Sequence, residues 1–273
     1  MPQVNPKILR WARDTAGLDI AEAAQKLGLR EKRGVAPEER LAALEAGEVE
    51  PSRPLLLKIV KQYRRSLLTF YLSAPPQRGD RGQDFRTLPE DYSETDEALL
   101  DALIRDIRAR QSLVRAVLED EEDTAPLPFI NSMNQSDGVE ALVNGIRKTL
   151  QLTLEDFRAE ANRNDAFNLL RSHTEEAGVF VLLIGNLGSY HTAIALETFR
   201  GFAVADQIAP FVIINDQDSR AAWSFTLVHE LAHLWLGETG VSGGTAEGGV
   251  ERFCNDVAGE FLLPASELSE LRL

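Results

Sequence analysis

Residues 229–233 read His-Glu-Leu-Ala-His, a spacing with a stereochemical use if the segment is helical. Side chains four apart stand one above the other on a helix face. His229 and His233 can then offer ring nitrogens to one zinc ion at about 2.0–2.1 Å. Glu230, one step round, can reach a water on that ion, whose pKa zinc lowers to roughly 7. A carboxylate so placed accepts the proton as the water attacks a carbonyl that zinc also polarises. The competing explanation is an amphipathic helix that holds two histidines by coincidence. It fits the flanks poorly: SFTLV (224–228) and LWL (234–236) are strongly apolar, so the helix is buried. Buried imidazoles and carboxylates need partners. The chain has only four histidines, and two of them stand in this segment.

A catalytic zinc takes a third protein ligand and keeps a fourth position open. The extended motif with a later glycine and a third histidine is absent, because those places hold Leu236 and Thr239. His173 and His191 lie upstream, in other elements. The following helix offers Glu247, Glu251, Asp256 and Glu260, and spacing alone leaves Glu251 and Glu247 level. Asn255, one turn beyond Glu251, can hold the second ring nitrogen of a ligand histidine. The glycine-rich GETGVSGGTAEGG (237–249) can make the turn between two antiparallel helices.

Other residues near the motif carry plainer readings. Cys254 is a small core side chain. Asn215, Asp216 and Arg220 can line a cleft, although the simplest role of their segment is to cap the helix through Asp218 or Ser219. Tyr190 and His191 are the remaining candidate donors to a transition state. Trp11, Trp223 and Trp235 fall on apolar helix faces and read as core. A strand at 198–205, were it at a sheet edge, could bind peptide backbone by strand addition.

The elements that must position these groups can be read from periodicity. Helices are predicted from Ile8 to near Gly17, from Ile20 to Leu27 behind Asp19, from Pro37 to Gly47, and from Pro54 to about Tyr71. Such helix–glycine–helix steps suit a small helix-turn-helix bundle. Residues 74–93 are rich in Pro, Gly and charge and read as a linker. Leu99, Leu103, Ile107 and Val114 give one long amphipathic helix over 94–119. Further helices are predicted at 137–150 and 154–176, strands at 179–184, 198–205 and 210–215, and helices at 219–236 and 248–263. The fold class is therefore α+β. An N-terminal all-α helix-turn-helix bundle (1–73) and a helical linker (74–135) precede a zincin-like domain (136–273). Its small β-sheet packs on the metal helix.

Bulk properties narrow the setting. The 273 residues are 44% hydrophobic and 26% charged, ordinary for a globular chain. No apolar run reaches about 18 residues, and the N-terminus has no signal-peptide pattern. One cysteine excludes an intrachain disulfide and a cysteine-rich zinc site, so a reducing cytoplasm is the expected location. The net charge of −14 is uneven: residues 1–66 hold 13 Lys/Arg against 9 Asp/Glu, and the remainder 16 against 34. Such asymmetry suits two modules with different partners.

The stretches FRGFAVADQIAPFVIINDQDSRAAWSFTLVHELAHLWLG (199–237) and ERFCNDVAGEFLLP (251–264) resemble the ImmA/IrrE family of metallopeptidases. VNPKILRWARDTAGLDIAEAAQKLGL (4–29) and RRSLLTFYLSAPP (64–76) resemble the XRE-type helix-turn-helix module often fused to them. The family pattern E-x-x-A-N-x-F-A-A-x-L-L-M-P falls on Glu251 to Pro264, with departures that include Cys254, Val257, Gly259 and Leu263. The resemblance implies a zinc peptidase with Glu251 as third ligand beside His229 and His233, and Glu230 as base. It implies a helix-turn-helix repressor as the protein substrate, cleaved to release phage, mobile-element or stress genes. Fused relatives continue past the LLP motif, whereas this sequence stops nine residues after Pro264.

The resemblance also raises DNA binding, through Lys26, Arg30, Lys32 and Arg33. Against it, REKRGVAP intervenes before the next helix, whose EERLAALEAGE repels phosphate. A docking or autoinhibitory module is the competing reading. Two other classes compete for the whole chain. One is a non-catalytic DNA-binding regulator with a structural metal site, which would have no need of Glu230. The other is a toxin or defence protease with a different protein target.

Overall fold

Polar caps and left-handed stops cut the first 75 residues into short helices. The computed structural model describes residues 3–75, 94–120, 124–237, 240–242 and 249–270. Helices α1 (Pro6–Asp14), α2 (Ile20–Lys26), α3 (Pro37–Ala46) and α4 (Arg53–Gln62) are followed by a 3₁₀ turn at Leu67–Tyr71. Asn5 caps α1 by accepting from the Lys7 amide, and Asp19 caps α2 by accepting from the Glu22 amide. Gly47 ends α3 at φ +77°, where a Cβ would stand 2.8 Å from Pro6 Cγ. The single helix expected from Pro54 to Tyr71 is instead broken, because Arg64 adopts φ +48°.

Ile8, Leu9, Leu27, Leu41, Ile59, Tyr63 and Phe70 fill the core of this unit. The Arg13 guanidinium pairs with both Glu45 carboxylate oxygens, at 2.7 and 3.0 Å, and donates to the Leu18 carbonyl at 2.9 Å. Glu45 of the acidic α3 is thus turned inward. REKRGVAP closes as a miniature hairpin, with Lys32 and Val35 exchanging two backbone hydrogen bonds around Arg33 and Gly34.

Helix α5 (Glu94–Glu119) has the predicted length. Among the described residues, those up to 75 and 94–102 form one unit and those from 103 onward the other. The second unit continues with α6 (Val139–Leu150), α7 (Leu154–Ala159), α8 (Arg163–Glu176), β1 (Phe180–Leu183), β2 (Gly201–Val204), β3 (Phe211–Ile214), α9 (Arg220–Leu236), β4 (Gly240–Ser242), α10 (Gly249–Leu262) and α11 (Ala265–Glu270). The helix expected over 154–176 is two helices, because the Asn162 side chain caps α8 by accepting from the Asn164 and Asp165 amides.

The sheet order is β1-β3-β2-β4, with β1 parallel to β3 and the other pairs antiparallel. Residues 240–242, expected to be part of a turn, add β4 beside β2, with Gly201 opposite Ser242. Strand β2 is therefore interior, which removes it as an edge for strand addition. Helix α9 lies against β2 and β3, with α8 and α10 as neighbours. Leu227, Val228, Leu231, Ala232 and Leu234 of α9 are fully buried, each large side chain contributing about 2 kcal/mol.

The C-terminal end of α9 is closed by the segment 127–133. Amides of Asn131, Ser132 and Met133 donate to the carbonyls of Leu234 and Trp235 at 3.0–3.2 Å. These satisfy groups that a helix end otherwise leaves without a partner. Phe129 stacks on Trp235 with 4.4 Å between ring centroids, and a Cβ on Gly237, at φ +71°, would meet Asn131.

Candidate metal centre

Helical spacing on α9 puts His229 and His233 on one face, and α10 brings Glu251 to it from its first turn. The two Nε2 atoms are 3.2 Å apart. Oε2 of Glu251 is 3.3 Å from His229 Nε2, and Oε1 is 3.2 Å from His233 Nε2. A tetrahedral ion with bonds of about 2.0–2.1 Å spaces its ligand atoms by about 3.3 Å. The three donors thus have the separations of three corners of a zinc tetrahedron. His, His and carboxylate is also a donor set that catalytic zinc sites use. All three side chains are buried, as is Glu230.

Burial opposes charge on every member of the group. At Glu251 the hydrogen bonds and charge of the two imidazoles overcome it and hold the carboxyl down to about 2. At His229 burial is outweighed by Glu251, by the charge of Glu230 and by a hydrogen bond with Asn255, so its pKa rises. At His233 burial prevails, reinforced by His229, and its pKa falls. Within the triad the carboxylate therefore stays ionised, the form in which it can ligate a metal.

Glu230 points to the sheet side of α9. A Cβ built on Gly201 of β2 would stand 2.9 Å from its Oε1 and 2.6 Å from Thr226 Cγ2. Sequence reasoning passed over Gly201, although a glycine inside a strand is a signal of close approach. It also passed over Phe225, which stacks on the His229 ring at 6.4 Å and is 37% exposed.

The other candidates fall elsewhere. Asp256 is exposed, Glu260 accepts from the Ala265 amide, and Glu247 lies outside the described residues. Cys254 is buried in the core beside α9. Asn215 is fully buried and holds the loop before β2, donating to the carbonyls of Ile194 and Phe199. Asp216 accepts from the Gln217 side chain, and Arg220 lies over the Trp223 ring. The Tyr190 and His191 rings lie against each other at a tilt, with Tyr190 80% exposed. Lys26, Arg30, Lys32 and Arg33 are exposed in the first unit. Of the tryptophans, Trp235 is buried, whereas Trp11 and Trp223 are partly exposed.

Residues 186–273 match the family model of the IrrE N-terminal-like domain, Peptidase_M78. This segment belongs to that peptidase family. Neither a curated protein nor a solved structure matches the chain. The IrrE-like segment contains β2, β3, α9 and α10, and hence the whole His229–His233–Glu251 group. It excludes β1, α6, α8 and the segment that closes α9. Among the described residues no helix is long and apolar enough to cross a membrane.

Proposed function

We propose that this chain is a zinc-dependent endopeptidase of the cytoplasm that cleaves a helix-turn-helix transcriptional repressor. The observation that carries the reading is the tetrahedral spacing of His229, His233 and Glu251, with a buried glutamate adjoining the first ligand. Zinc bound there supplies Lewis acidity toward the scissile carbonyl and toward water. Glu230 takes the proton of the attacking water and delivers it to the leaving amine. Asn255, whose side chain favours the protonated His229 ring, supports that ligand from the next turn of α10. A structural site has no use for a second carboxylate next to its ligands, which favours catalysis over a non-catalytic DNA-binding regulator.

The choice of a repressor as substrate rests on the resemblance of residues 4–29 and 64–76 to an XRE-type helix-turn-helix module and of the metal segment to ImmA/IrrE peptidases. The exposed Lys26, Arg30, Lys32 and Arg33 can meet nucleic-acid phosphate. The decisive experiment loads the full-length protein with zinc. It is then incubated with an XRE-type repressor encoded beside it and, separately, with a proteome-derived peptide pool. New termini are read by mass spectrometry. Zinc-dependent cleavage of the repressor is expected. Cleavage of pool peptides but not the repressor redirects the reading to a toxin or defence protease, and no zinc-dependent termini at all defeats it.

A further inference from the structure

Along β2, residues 201 and 203 point to one face and 202 and 204 to the other. The α9 face of the strand is therefore lined by Gly201 and Ala203, the latter packed in the same core as Leu227, Val228 and Leu231. Small residues there let the helix settle closely on the strand. Three atoms crowd the place where a Cβ at 201 would be: Thr226 Cγ2 at 2.6 Å, Glu230 Oε1 at 2.9 Å and the Ile213 carbonyl oxygen at 3.1 Å. They differ in how far they can yield. The Ile213 carbonyl belongs to the backbone of β3, where residue 213 pairs with 202. Thr226 is β-branched and on a helix, so its χ1 is restricted. The Glu230 carboxylate ends an unbranched chain and gives way first.

We propose that Gly201 is a positioning residue for Glu230: the missing side chain makes the seat in which the carboxylate is held beside the metal ligands. The inference rests on the reading of Glu230 as the catalytic base. A methyl group at 201 turns the carboxylate out of its seat while His229, His233 and Glu251, none of which supplies one of the three atoms nearest that methyl, keep their places. Metal binding and catalysis then separate through a residue that touches neither metal nor substrate.

The test compares the parent, Gly201→Ala and Gly201→Ala/Thr226→Ser as full-length zinc-loaded proteins. Zinc stoichiometry, thermal midpoint, crystal structures, and kcat and KM on the cleaved pool peptides are measured. Gly201→Ala is expected to keep one zinc and a parental KM, to show Glu230 displaced, and to lose about 100-fold in kcat, as a misplacement of about 1 Å can cost. The double variant removes the Thr226 methyl that is nearest the new Cβ. It is expected to regain thermal stability but not kcat, and it decides the matter if the single variant does not fold. Loss of zinc, an unmoved carboxylate with parental kcat, or recovery of kcat in the double variant overturns the proposal. A zinc-loaded parent that cleaves nothing sinks the peptidase reading alone, and the position of Glu230 in the variant crystals still decides this one.

Discussion

His233 Nε2 and Glu251 Oε1 face each other at 3.2 Å from two different helices, α9 and α10. An ion taken between them ties those helices together. Because the site is assembled only in the folded chain, metal should stabilise it by mass action, by about 2.7 kcal/mol at a free concentration 100 times Kd. Chelation should lower the melting temperature and zinc should restore it. His233→Ala should hold little or no zinc and show no zinc-dependent shift. An unchanged zinc content in that variant, by elemental analysis, would refute the assigned site.

Glu230 is a base in this scheme and not a ligand. Glu230→Gln keeps size and polarity but cannot take a proton. It should retain one zinc per chain and lose at least the 10²–10⁴-fold that general base catalysis supplies. Zinc analysis and cleavage rate on one preparation check both halves, and a variant as active as the parent would sink the mechanism.

The hydrogen bond between Asn255 and His229 makes a graded prediction. Removing a partner that orients a ligand costs roughly 10–100-fold in metal affinity. Asn255→Ala should therefore bind zinc more weakly by that factor, in competition with a chromophoric chelator, while its circular dichroism is unaltered.

Acid should act on the metal-free protein through Glu251. Its carboxyl is held down to about 2, below an ordinary carboxyl, so ionised Glu251 contributes stability above the ordinary pKa of about 4.3. That contribution is lost as pH falls toward 2. In metal-free protein, the stability difference between the parent and Glu251→Gln should shrink across this window. A difference in urea midpoint that stays constant from pH 5 to about 2.5 would count against the ion-pair geometry.

In the first unit the Arg13–Glu45 pair is mostly buried, at 11% and 7% side-chain exposure. Glu45→Ala leaves a guanidinium with only the Leu18 carbonyl and the more exposed Asp14. The expected cost is about 2–3 kcal/mol, below that of a fully buried broken pair. Faster amide exchange in α1 and α3, without change in α9, would show it. Unchanged protection in α1 would exclude a structural role for the pair.

Much of the candidate metal site was legible because its information is local. The His229/His233 pair depends on helical repeat alone, and apolar flanks announce burial. Glu251 needed a second source, since spacing could not separate it from Glu247 and the resemblance to ImmA/IrrE made the choice. The misjudged features depend on distant partners. Residues 240–242 look like a glycine-rich turn until β2 offers hydrogen bonds along its side. The break at Asn162 comes from a cap competing with an otherwise continuous helical pattern. Nothing local to the acidic α3 says that Glu45 is taken by Arg13, from another helix. Gly201 could be suspected of a close approach, but nothing local names Glu230 as what approaches.

The amides of residues 131–133 that close the last turn of α9 lie upstream of the IrrE-like segment 186–273. That segment is consequently not a portable cassette. Cut at 186, it would carry its ligands on a helix whose final carbonyls and Trp235 face water, with Phe129, α6 and β1 left behind. Grafts, minimal fragments and chimaeras that aim to move the candidate metal site should take their upstream boundary before Leu127.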